Sequence, residues 1–133
     1  MKVVLDTNVI LNGIKGIKAD AKILEEIDRG NILACFSTVN LAEVYFVLLK
    51  LLRNKADLIY NTITDSKIDL IEPDLKIAKS AAVNKDKYDF SLGDSFVLAT
   101  ALQTDANYII TNDKDFKKVK EVRVVKPSEH SEK

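Results

Sequence analysis

Five short runs of apolar, mostly β-branched residues punctuate the chain, at 2–5, 32–36, 68–71, 108–110 and 122–125. Polar or glycine positions bound each run, as they bound strands that are buried on both faces. Between the runs, apolar positions recur at helical spacing. A helix over 19–28 would carry Ile23, Leu24 and Ile27 on one face, and a longer, far more apolar one over 40–53 would carry Leu41, Val44, Leu48 and Leu52. Shorter helices are predicted over 57–64, over 74–84 after Pro73, and at about 114–119. The helix predicted over 91–103 holds Phe96, Val97, Leu98, Ala99 and Leu102, which leaves little polar face and implies burial on most sides. No helix is predicted between the first strand and residue 19. Strands alternating with helices imply an α/β fold with three layers, a central parallel sheet of about five strands and helices on both faces. A single domain is expected over 1–126, followed by a polar, disordered tail over 127–133.

Composition narrows the chemistry. Lysine plus arginine equals aspartate plus glutamate, 20 against 20, so the chain cannot hold nucleic acid by bulk positive charge. Any such role rests on local patches, or on a metal ion that supplies the charge. The one cysteine, Cys35, sits in an apolar run and reads as a buried small hydrophobe. Asp6 interrupts any signal-peptide core and no apolar run reaches membrane-spanning length, so a cytoplasmic protein is expected.

Four acids fall where predicted elements begin or end. Asp6 directly follows the first strand and precedes Thr7 and Asn8. Asp113 follows the strand ending at 110, within Thr111-Asn112-Asp113. Glu43 and Asp94 are expected in the first turns of the helices over 40–53 and 91–103. Singly, each has an ordinary explanation. Ser91-Leu92-Gly93-Asp94 reads as a capping box, Asn40-Leu41-Ala42-Glu43 resembles one, and Asp6-Thr7-Asn8 suits a turn.

Taken together they point further. Glu43 and Asp94 are followed by very apolar stretches, where an unpaired charge is costly. Converging carboxylates repel one another unless a cation neutralises them. Oxygen ligands suit Mg²⁺ or Mn²⁺ rather than Zn²⁺, and the chain has no Cys/His set; His130 stands alone near the end and is expected to be inert. The chemistry that fits is phosphodiester hydrolysis.

These segments resemble the PIN-domain family. Val4-Leu5-Asp6-Thr7-Asn8, Asn40-Leu41-Ala42-Glu43, Ser91-Leu92-Gly93-Asp94 and Thr111-Asn112-Asp113-Lys114-Asp115-Phe116 match its motifs in order and spacing across nearly the whole chain. The size is similar to the toxin half of VapBC-type toxin–antitoxin pairs. The resemblance implies a metal-dependent endoribonuclease with an acidic Mg²⁺ or Mn²⁺ site, an RNA substrate, homodimers and a small antitoxin partner. It implies Asp6, Glu43, Asp94 and Asp113 as catalytic acids. Of these, Asp6, Asp94 and Asp113 are expected to bind metal, and Glu43 either to ligate it or to orient the attacking water. Thr7, Asn8, Thr111 and Asp115 are expected to support the ligands, with Asp115 able to share the place of Asp113. Ser95 stands where family members more often carry alanine.

Candidate RNA contacts are Lys15 and Lys18 after the first motif and Lys114 and Lys117 after the last. Asp86 and Asp89 read as a solvated loop. The apolar helices around 41–52 and 58–63 are candidates for a dimer or partner groove. The alternative readings are an inactive PIN-fold scaffold, an aspartyl-phosphate phosphatase, which would call for an acid where Asn8 stands, and a DNA nuclease. RNA over DNA comes from the resemblance alone.

Overall fold

Every strand pairing is parallel, as near-continuous apolar runs separated by helices require. The computed structural model describes residues 1–131. Strands β1 (Lys2–Leu5), β2 (Leu33–Ser37), β3 (Asp69–Ile71), β4 (Tyr108–Ile110) and β5 (Arg123–Val125) lie in the order β3-β2-β1-β4-β5. Among the described residues seven α-helices connect or flank them: α1 (Thr7–Ile14), α2 (Lys18–Asp28), α3 (Thr38–Leu51), α4 (Ala56–Thr64), α5 (Leu75–Tyr88), α6 (Leu92–Gln103) and α7 (Pro127–Ser131).

Alternation along the strands creates the three layers. Val3, Leu5, Ala34, Phe36, Tyr108 and Ile110 point to one face, where they pack with Val9, Ile10, Ile23, Ile27, Leu41, Val44, Leu48 and Ile63 of α1 to α4. Val4, Cys35 and Ile109 point to the other, against Tyr88 of α5, Phe90 between α5 and α6, Val97, Leu98 and Ala101 of α6, and Phe116. Val3, Val4, Leu5, Ile109 and Ile110 are wholly inaccessible to solvent. Burying a side chain of this kind contributes roughly 1.5–3 kcal/mol, so the central pair β1–β4 contributes strongly to stability. Cys35 is free and buried, as expected.

The strand order makes a topological switch at β1, because β2 lies on one side of it and β4 on the other. Leu5 pairs with Ile110, so the residues that follow, Asp6 and Thr111, leave the sheet side by side. The N–H of Asp6 still donates to the carbonyl of Ile110, at 3.0 Å. A crevice at the carboxyl ends of strands is where open parallel sheets hold ligands.

The structure differs from the sequence reading at several elements: α5 runs to Tyr88, so Asp86 lies in a helix and Asp89 at its C-cap rather than in a solvated loop. Helix α1 was not expected; Asp6 accepts the N–H of Thr7 and so caps a helix rather than a loose turn. Helix α3 starts earlier than 40, with Ser37 as its cap, so Asn40 does not cap it and Glu43 sits in its second turn. The segment expected as a disordered tail carries the short helix α7, where the ring of His130 lies 5.5 Å from that of Tyr108. Residues 132 and 133 of that expected tail lie outside the described residues.

Candidate metal centre

Asp6 is held from three directions. The N–H of Thr7 donates to its Oδ1 at 2.7 Å, while Asn8 Nδ2 and Thr111 Oγ1 donate to its Oδ2 at 3.0 and 2.6 Å. A carboxylate has about four lone-pair sites, so one remains for a further ligand. Asp6 is 3 % exposed, and this burial raises its pKa. The bonds from Thr111 and Thr7 oppose the shift, and the charges of Asp113 and Glu43 add to it.

Asp94 enters from α6. Ser91 caps that helix by accepting the N–H of Asp94 at 3.2 Å, as the capping-box pattern requires. Burial, followed by the negative charges of Asp6, Asp113 and Glu43, pushes the Asp94 carboxyl up to about 7, against a hydrogen bond with Ser91 that works the other way. Asp113 caps the 3-10 turn Lys114–Lys118 by accepting the N–H of Asp115 at 2.9 Å. Its own N–H donates to Thr111 Oγ1 at 3.0 Å, so one threonine orients two acids.

Carboxylate oxygens of Asp6, Asp94 and Asp113 lie within 4.8 Å of one another. The fourth acid, Glu43, stands at the rim. Its Oε1 accepts from Thr7 Oγ1 at 2.7 Å and from Asn40 Nδ2 at 2.8 Å. All four acids line one cleft of about 570 Å³, together with Thr7, Asn8, Leu11, Ala42, Phe46 and Val47. Among the described residues the ion pairs Arg29–Glu26 and Lys87–Glu121 lie elsewhere, so neither relieves the repulsion in the cleft. Three close carboxylates without a paired cation, one of them driven toward neutrality, match the donor set of a hard divalent ion.

Other predicted positions fare differently. Asp115 is exposed and supports the centre through its backbone N–H, while its carboxylate lies outside the trio. Lys114 and Lys117 line a neighbouring cleft of about 640 Å³ that shares Asp113 with the acidic one. Lys15, at the C-cap of α1, and Lys18, which opens α2, are exposed and line neither. Asp86 and Asp89 are likewise exposed, and line neither cleft.

Sequence reasoning missed two residues of the site. Asn40 is fully buried, and its Nδ2 bridges Glu43 and the carbonyl of Gly93. Gly93 is where α6 passes α3: a Cβ there would lie 2.7 Å from Glu43 Oε1 and 2.8 Å from its Cδ. The glycine after Ser91-Leu92 was the available signal, since an alanine would suit a helix interior better.

Residues 3–122 match the PIN domain family. The chain belongs to the PIN-domain family. Its fold recurs in solved structures at low sequence identity. One is a toxin–antitoxin complex from Klebsiella pneumoniae, with a TM-score of 0.76 and 22% identity over 94% of this chain and 97% of that one. A second is VapBC2 from Rickettsia felis bound to a DNA fragment from its promoter, with a TM-score of 0.76 and 20% identity over 95% and 98%. A third is VapC20 from Mycobacterium tuberculosis, described as a toxin that cleaves the sarcin–ricin loop, with a TM-score of 0.68 and 19% identity over 91% and 98%. No curated protein matches the chain in sequence. PIN membership and the three-layer architecture agree with the sequence reading.

Proposed function

We propose that this PIN protein is a metal-dependent endoribonuclease and the toxin of a VapBC-type pair. The observation that carries the reading is the trio Asp6, Asp94 and Asp113, whose oxygens lie within 4.8 Å at the carboxyl ends of β1 and β4. Asp6, Asp94 and Asp113 would hold Mg²⁺ or Mn²⁺. When bound, such an ion supplies positive charge to a phosphate and lowers the pKa of an attacking water.

The chain's own residues prepare the place. Thr111 and Asn8 fix the Oδ2 of Asp6, and Thr111 also fixes the backbone of Asp113. Thr7 and Asn40 leave Glu43 Oε1 engaged and direct its carboxylate into the cleft mouth, where it orients a water or joins the ligands. Lys114 and Lys117, in the adjoining cleft, are the RNA contacts of choice; Lys15, at the C-cap of α1, and Lys18, the first residue of α2, do not line it.

Structural neighbours described as toxin–antitoxin complexes support a small antitoxin as partner. So does the outer side of α3 and α4. Leu41, Val44, Leu48 and Ile63 are used by the core, but Phe46, Leu51, Leu52 and Leu58 remain 60%, 62%, 41% and 69% exposed. That surface suits an antitoxin helix or a second copy of the chain. No helix of the described residues is long and apolar enough to cross a membrane. A cytoplasmic location goes with the proposed RNA target.

Incubation of single-stranded and structured RNA with purified protein in Mg²⁺ or Mn²⁺ tests the activity. Cleavage that EDTA stops and that folded Asp94→Asn lacks is expected. Equal cleavage by Asp94→Asn, or none by wild type in either metal, contradicts the proposal.

A further inference from the structure

A buried acid outside the metal trio sits at the end of a hydrogen-bond chain that leads into it. Asp20, in the first turn of α2, is 2% exposed. Its Oδ2 accepts from Asn112 Nδ2 at 2.9 Å. The same Asn112 Nδ2 and the Asn112 backbone N–H both donate to Asn8 Oδ1, each at 3.1 Å. Asn8 Nδ2 in turn donates to Asp6 Oδ2 at 3.0 Å. Three segments distant in sequence are thus joined, and α2 can come close because Gly13 of α1 has no side chain; a Cβ there would lie 3.1 Å from Leu24 Cγ.

Two groups of fixed character set the directions in this chain, the Asp20 carboxylate and the Asn112 backbone N–H, which also donates to Asn8 Oδ1. An ionised carboxylate only accepts, so Asn112 must turn its NH₂ toward Asp20. One amide hydrogen then remains for Asn8, which must present its oxygen there and its NH₂ to Asp6. Without Asp20 the Asn112 NH₂ loses one of the two acceptors that orient it, and a flip becomes less costly. With Asn112 flipped, Asn8 loses one of its two reasons to face Asp6 as a donor. A flipped Asn8 would set its carbonyl oxygen against the Asp6 carboxylate, which is repulsive.

We propose that Asp20, through Asn112, is a positioning residue that fixes Asn8 as a donor to Asp6 and so presets the metal-binding carboxylate. The proposal rests on the metal reading above. Outer partners of ligands typically change metal affinity by 10–100-fold when removed.

Isothermal titration with Mn²⁺ alone tests it, with wild type, Asp20→Ala, Asp20→Asn and Asn112→Ala, each verified as folded by circular dichroism. Asn112 is exposed, so its truncation leaves the core untouched and guards against a folding defect at Asp20. The expected result is a roughly 10-fold or greater loss of Mn²⁺ affinity in Asp20→Ala and Asn112→Ala, with substantial recovery in Asp20→Asn, whose oxygen can still accept. The Asn8 side-chain NH₂ signal in nitrogen–proton NMR should also shift and exchange faster in both alanine variants. Wild-type affinity retained in Asp20→Ala and Asn112→Ala, with lowered thermal stability only, would overturn the positioning role while leaving the metal centre intact. Failure of the wild type itself to bind Mn²⁺ would overturn both.

Discussion

The carboxylate of Glu43 occupies the space that a side chain on Gly93 would need. A Cβ at position 93 would come within 2.7 Å of Glu43 Oε1, and Asn40 ties the two together by donating both to Glu43 and to the Gly93 carbonyl. Glu43 thus lies over the start of α6, where it shares one cleft with Asp94.

Gly93→Ala separates helix propensity from site geometry. In a helix the change should stabilise by up to about 1 kcal/mol, but here it displaces Glu43. We expect cleavage to fall roughly 10–100-fold, the range typical for misplaced partners of a metal site. Combining it with Glu43→Ala should relieve the clash and raise stability above that of Gly93→Ala alone. Denaturant unfolding of the single and double variants reads the coupling, and additive effects would mean the two residues do not meet.

Stability of the metal-free protein should fall as pH rises. The folded carboxyl of Asp94 titrates at about 7 and its ordinary value is 3.8, so between these the native state binds the extra proton. That contribution is fully present below pH 3.8 and lost as pH rises through about 7. In EDTA the melting temperature should thus be lower at pH 8 than at pH 5.5. Mn²⁺ should reverse the order, because it needs the acids ionised. A metal-free protein more stable at pH 8 would contradict the cluster's repulsion.

Thr111→Val removes a donor to Asp6 and an acceptor for the Asp113 N–H in one step. Leaving such buried groups unpaired costs about 1–3 kcal/mol each. Chemical denaturation should show that loss, and Mn²⁺ affinity should fall with it. Thr111→Ser, which keeps the hydroxyl, should restore affinity more fully than stability.

Phe116→Ala tests how the core supports the last acid. Phe116 is fully buried, stacks 4.9 Å from Phe90, and lies in the 3-10 turn that Asp113 caps. Truncation should cost about 3–5 kcal/mol. A loss under 1 kcal/mol would mean that the turn is not anchored by this ring.

The strands and the four acids were legible because they obey local rules: β-branched runs, helix caps and the residue after a strand. Helix α1 was not, since its eight residues TNVILNGI bury Val9 and Ile10 side by side instead of showing a spaced face. Asn40 mimicked a cap because cap and buried bridge use the same side-chain chemistry, and only the true cap, Ser37, three residues earlier, tells them apart. Gly93, Asp20 and Asn112 owe their roles to partners 50, 92 and 104 residues away in sequence, which no local pattern encodes.

Direct titration of Mn²⁺ into wild type, Asp6→Asn, Asp94→Asn and Asp113→Asn at pH 8, followed by calorimetry or electron paramagnetic resonance, addresses the trio most squarely. Saturable binding by the wild type, weakened in every variant while circular dichroism stays native, is the expected result. Unchanged binding in all three variants, or none by the wild type, would show that these carboxylates do not form a metal centre.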